Sequence, residues 1–192
     1  EIIDKTVINT GHLSQKKNVL AALAIILNEA SCEEYADYAK QVIANARALE
    51  KGIFEAGLGL ICHPTENHLA LLRLPEKVEG EELAKNLEEA GLLVKAEFLM
   101  TSDETRRYPV LRLSSLDATT RSLRDDMFKV GKILGEFIKS DQGEEAKQKV
   151  RKAVKKLVDH LPLFSDEWLP ELEAQEEEDS DLVMKSMVYW RI

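Results

Sequence analysis

The sequence predicts an α+β fold, a small and mainly antiparallel sheet covered on one face by long helices. Three observations carry that prediction. Two helical patterns open the chain, three or four short strand patterns follow, and two more helical patterns come after them, the order expected when helices gather on one side of a sheet. No G-x-G-x-x-G or G-x-x-x-x-G-K-[ST] run occurs, so the backbone-amide phosphate cradle of doubly wound α/β folds is missing. With 192 residues, 44% of them hydrophobic, the chain has apolar material for one sizeable core.

From Gln15 to Ala30 the chain is apolar almost all round, which predicts a helix buried on several sides at an interface. A second helix follows, with Tyr35, Tyr38, Val42, Ala46, Leu49 and Ile53 at helical spacing and Gly52 and Gly57 near its end. Leu58 to Cys62 and His68 to Leu74 read as strands, separated by the turn-forming run His63 to Asn67. Glu79 to Ala90 is a helix with Leu83 and Leu87 inward and Gly91 in the capping position. Leu92 to Leu99 and Val110 to Ser114 are the next strands, joined by the polar segment Thr101 to Pro109. Ser122 and Asp125 form an N-cap pair for a helix that runs through Leu123, Met127, Val130, Leu134 and Phe137 to Lys139. A last amphipathic helix spans about Glu144 to His160 and stops at Pro162.

Residues 171–181 are a run of acidic residues read as solvated, and 182–192 close the chain with an apolar segment in which Tyr189 and Trp190 are the candidate contact residues. This divides the chain into an opening segment with an interface helix (1–31), a small α+β domain (32–164), and an acidic tail with an apolar terminus (165–192). The first residue is Glu1 rather than a methionine, which fits a fragment or a processed product.

A net charge of -9 argues against a sequence-independent grip on nucleic acid, which needs a dense basic surface. The most apolar stretch, Val19 to Leu27, is too short to span a bilayer, and no signal-peptide pattern opens the chain, so no membrane partner and a cytoplasmic location are expected. Cys32 and Cys62 form no C-x-x-C pair, and His12, His63, His68 and His160 are too scattered to pair on one helix face; no metal site is expected. A G-x-S-x-G elbow is also missing.

Arg112 stands apart, because it interrupts the apolar run Val110-Leu111-Arg112-Leu113. Were that strand to face a cleft, the guanidinium fork would suit a substrate carboxylate; on an edge strand it would simply snorkel into water. Asn67 and His68, just ahead of a strand, read either as a functional pair or as an Asx-type structural turn.

Several blocks, in order, resemble the C-terminal half of serine hydroxymethyltransferases. They are the helix ALAIILNEA, the helix YAKQVIANARALEKGIFEAG with its Asn45-Ala46 pair, the turn Thr65-Glu66-Asn67-His68-Leu69, the segment GEELAKNLEEAGLLVK, the strand around Arg112, the turn Ala118-Thr119-Thr120-Arg121, and the closing VKKLVDHLPLF. The resemblance covers about Ile8 to Phe164. It implies the small domain of a fold-type I pyridoxal-phosphate (PLP) enzyme, packed against a large cofactor-binding domain or separate subunit and within a homodimer. Arg112 then matches the arginine that binds the carboxylate of glycine or serine, while the Schiff-base lysine belongs upstream. No T-x-K-T-like segment occurs in this chain, so the resemblance implies no catalytic residue here and no activity of the chain alone. Departures are also present. Leu13-Ser14 stand where the family has paired glycines near the cofactor phosphate, and Lys95-Ala96-Glu97 replace its asparagine-lysine-asparagine folate contacts. These changes allow a folate-free aldolase-type relative, or a non-catalytic scaffold or regulatory module derived from the family.

Overall fold

The computed structural model describes residues 2, 5, 17–75, 77–100, 107–124 and 126–170. Leu13-Ser14, Asp125 and the 171–192 segment, on which several of the expectations above fall, lie outside these. The described residues fall into two units, one of residues 36–168 and one of the described residues before 36 with 169–170. In the latter, helix α1 (Lys17–Glu29) leaves Val19, Leu20, Leu23, Ile25, Ile26 and Leu27 exposed.

Helix α2 (Glu33–Glu55) leads into the larger unit and buries Val42, Ala46, Leu49 and Ile53, the stripe that the helical spacing predicts; Tyr35 is exposed. Among the described residues the strands are β1 (Leu60–Ile61), β2 (Leu69–Arg73), β3 (Lys95–Met100) and β4 (Arg107–Ser114), all antiparallel, in the order β1-β2-β4-β3. Helices α3 (Gly80–Glu89), α5 (Met127–Lys139) and α6 (Glu144–Val158) complete the unit with the short α4 (Leu116–Thr120) and a 3-10 turn, Asp166–Trp168. One core joins Leu49 and Ile53 of α2, Leu83 and Leu87 of α3 and Leu134 and Phe137 of α5 to Ala70, Leu72, Leu111 and Leu113 of the sheet. Side chains alternate across a strand, so this core uses one sheet face. The other face carries Leu71, Arg73, Lys95, Glu97, Tyr108, Val110, Arg112 and Ser114.

Several boundaries depart from expectation: β1, expected over Leu58 to Cys62, is only Leu60–Ile61, and β3, expected from Leu92, begins at Lys95. Strand β4 starts at Arg107, three residues early, and includes Pro109, which has no N–H to give. The Pro109 carbonyl accepts from Leu74 N at 3.0 Å, just past the end of β2, so the missing donor falls where the ladder has already ended. Ser122 caps no helix start: α5 begins only at Met127, and Ser122 sits at φ +66 just after α4. There Ser122 N reaches Thr119 O at 2.8 Å and Leu123 N reaches Ala118 O at 2.9 Å, a Schellman ending for α4. The same pair of bonds ends α3, where Gly91 at φ +91 supplies the left-handed residue that its capping position predicts.

Helices α2 and α5 cross in near backbone contact. A Cβ placed on Gly52 would lie 2.2 Å from the Phe128 carbonyl oxygen, and one on Gly131 would lie 2.3 Å from that of Leu49. Only glycine permits this approach.

Candidate functional site

Strand β4 lies between β2 and β3, so Arg112 is on an interior strand and the edge-strand alternative is excluded. It points to the face opposite the core, with its side chain 43% exposed. Its cross-strand neighbours are Leu71 on β2 and Lys95 on β3. The carboxylate of Glu97 takes a hydrogen bond from Lys95 Nζ at 2.8 Å and stands 3.6 Å from Arg112 Nη1. That hydrogen bond, with the Arg112 and Lys95 charges, outweighs partial desolvation and holds the Glu97 carboxyl below its ordinary range. Arg73 stacks over the Tyr108 ring at 5.0 Å on the same face. An apolar strand could thus hold an arginine because the apolar residues flanking it, Leu111 and Leu113, point the other way.

Asn67 and His68 lie at the far end of the same pair of strands, where Ser115 N donates to the His68 carbonyl at 3.0 Å. Asn67 Oδ1 accepts from Leu69 N at 2.8 Å, the geometry of an Asx turn. Helix α2 grips this turn at Thr65: Arg47 Nε donates to Thr65 O at 3.0 Å, and Glu50 Oε2 accepts from Thr65 N at 2.9 Å. Glu50 is fully buried, with His63 Nδ1 at 2.9 Å from the same oxygen, while Oε1 has no hydrogen-bond partner among the described residues.

Two motifs far apart in sequence meet at Asn45. Its amide donates to Thr119 Oγ1 at 2.8 Å and to the Leu123 carbonyl at 2.7 Å, tying α2 to the Ala118–Arg121 turn. Arg121 in turn holds the end of α6 through the carbonyls of Val158, Leu161 and Pro162. Trp168 is buried, donates to Thr119 O at 2.9 Å and lies under the Arg124 guanidinium at 4.7 Å. Sequence reasoning missed Lys95 and Glu97 as partners of Arg112, and also Glu50. The alternation of Lys95 and Glu97 places them on one face, but only the strand register places that face beside Arg112.

A concavity between the α3 and α5–α6 regions is lined by Glu79, Glu82 and Asp141 with no lysine or arginine, which does not fit an anionic cofactor such as PLP. Among the described residues no group of three His, Cys, Asp or Glu is placed to hold a metal ion, and no helix is long and apolar enough to cross a membrane.

The family model for serine hydroxymethyltransferase matches residues 1–134. A serine hydroxymethyltransferase of Novosphingobium aromaticivorans is 34% identical over 161 residues, 78% of this chain and 36% of the relative. One from Myxococcus xanthus is 31% identical over 151 residues, 77% of this chain and 36% of the relative. A 2-methylserine hydroxymethyltransferase of a Paracoccus species is 30% identical over 158 residues, 79% of this chain and 37% of the relative. The chain therefore spans little more than a third of the length of these relatives. Fold, order of motifs and similarity agree, and the chain belongs to the serine hydroxymethyltransferase family.

Proposed function

We propose that this chain is the C-terminal small-domain portion of a PLP-dependent enzyme that moves a hydroxymethyl group between serine and glycine, or performs the related aldol chemistry on a β-hydroxy amino acid. The observation that carries the proposal is Arg112, half exposed on an interior strand, on the face opposite the core. Its position is the one where the family resemblance puts the carboxylate-binding arginine. In this reading the planar guanidinium takes the substrate carboxylate through paired N–H donors and so fixes the orientation of the Cα bonds. The cofactor, its lysine and the electron sink belong to a large domain, fused or separate, that covers this face, and the chain alone is inactive. The complete enzyme is a cytoplasmic homodimer.

Replacing Arg112 in the complete enzyme tests this. Arg112→Ala should weaken glycine binding by about 2–5 kcal/mol, since a covered carboxylate would lose its charge-assisted partner. Every 1.4 kcal/mol is tenfold, so the loss is at least roughly thirtyfold. Unchanged glycine affinity would refute the clamp and favour a non-catalytic interaction module.

A further inference from the structure

We infer that Glu97 sets the charge class of ligand that Arg112 accepts: by holding Lys95, it restricts the site to ligands with a single carboxylate. The inference deepens the reading of Arg112 as a carboxylate clamp and rests on it.

Lys95 and Arg112 are direct cross-strand partners, so two cations share one position on the face opposite the core. Like charges placed so destabilise a strand pair unless something answers them. Glu97, two residues along β3 and therefore on the same face, supplies that answer. It does so unequally. Its oxygen lies 2.8 Å from Lys95 Nζ, a direct hydrogen bond, but 3.6 Å from Arg112 Nη1, beyond hydrogen-bond reach. Lys95 Nζ is thus the cation paired with Glu97, while the donors of Arg112 are left for a ligand.

The formal charge of the three side chains is then +1, with the positive excess on Arg112. A monocarboxylate meets one available fork. A dicarboxylate reaching across to β3 meets an ammonium already taken and a carboxylate that repels it. Without the Glu97 charge the sum becomes +2, and Lys95 becomes a second receptor directly across from the first. Glu97 is held below the usual carboxylate range, chiefly by the Lys95 hydrogen bond, so it stays ionised across neutral pH. Glu97 is a positioning and specificity residue in this account, because it acts on the ligand through Lys95 and Arg112.

The test measures the affinities of glycine and L-aspartate for the cofactor-loaded enzyme that contains this chain. Glu97→Gln should raise the aspartate-to-glycine affinity ratio about fivefold, the scale of one partly exposed charge pair. Adding Lys95→Met to Glu97→Gln should return the ratio to its starting value, which a merely structural role for Glu97 would not do. Lys95→Met alone should lower glycine affinity, because Glu97 then turns to Arg112. An unchanged ratio in Glu97→Gln, with glycine binding still lost in Arg112→Ala, overturns the inference and leaves the clamp intact. Unchanged glycine binding in Arg112→Ala removes both. Thermal melts establish that each variant is folded, and if Glu97→Gln does not fold, Lys95→Met decides: glycine affinity at or above that of the parent enzyme overturns the inference.

Discussion

Gly131→Ala adds one methyl group where α5 meets α2, and the structure fixes what it would meet. The new Cβ would lie 2.3 Å from the Leu49 carbonyl oxygen and 3.0 Å from both Gly52 Cα and Ile53 N. All three are backbone atoms of a helix, so no rotamer change relieves the contact. Restoring an ordinary contact distance of about 3.2–3.5 Å means moving the helices apart by roughly 1 Å. That shift reaches the side chains packed beside the crossing, including Leu49, Ile53, Met127 and Leu134 of the core. Overpacking of this kind costs about 1–3 kcal/mol and occasionally more. Against it stands the helix-propensity gain of alanine over glycine, at most about 1 kcal/mol. The steric effect wins, with a net loss of about 1 kcal/mol, or a fall in melting temperature of roughly 2–4 °C for a unit of this size. Circular dichroism during urea and thermal unfolding measures it. Gly59→Ala is the control, since a Cβ there meets nothing within 4 Å, and it should stay within about 0.5 kcal/mol of the parent. If Gly131→Ala unfolds at the same urea concentration as Gly59→Ala, the close crossing is not a determinant of stability and the reasoning fails.

Two further outcomes are expected. Arg121→Ala removes three bonds to the carbonyls of Val158, Leu161 and Pro162, and should destabilise the unit by about 2 kcal/mol through loss of charge-assisted hydrogen bonds. Amide exchange should accelerate in the last turn of α6, and unchanged exchange there would sink this role. On acidification, Glu89 should report on folding. Its carboxyl is held below the ordinary carboxylate range, first because Lys147 Nζ hydrogen-bonds it at 2.5 Å and then through the charges of Lys147, Lys85 and Arg151. A folded-state value below the unfolded one means the contribution is present above about pH 4.5 and fades as pH drops through the lowered value. Lys147→Met should therefore flatten the acid limb of the stability profile, and an identical slope in the variant would show that the pair is not coupled to folding.

The sequence announces the helices of the larger unit because their apolar residues recur at a period that only a helix uses. The stripe Val42, Ala46, Leu49 and Ile53 is buried as its spacing demands, and Gly91 ends α3 as its position demands. What fails is local chemistry decided by distant partners. Ser122 has the composition of an N-cap, yet its hydroxyl bonds the Glu167 carboxylate and its backbone ends the preceding helix. Trp168 looks like part of a tail until Thr119 and Arg124 enclose it. The same limit applies to the candidate site. An arginine amid apolar residues was visible on β4, but whether it faced core, edge or open surface depended on strand order, which a single sequence does not encode locally.

Glu50 shows how a residue with no legible signal can position one that has a signal. On helical spacing it adjoins the buried stripe and would ordinarily be assigned to solvent, yet it is wholly buried. Burying a carboxylate is costly unless hydrogen bonds replace its lost water, and here the Thr65 backbone N–H and His63 do so at one oxygen. Arg47, one turn earlier on α2, takes the Thr65 carbonyl, so both polar groups of one peptide residue are bound by one helix. Thr65 Oγ1 then donates to the Leu69 carbonyl at 2.7 Å, carrying that constraint to the first residue of β2. Leu69 pairs with Ser114 and Leu71 with Arg112, so the grip of α2 on the turn fixes β2 and, through it, the strand that presents the arginine. The turn therefore does its work through backbone placement, and Asn67 takes part in that placement through Oδ1, which accepts from Leu69 N.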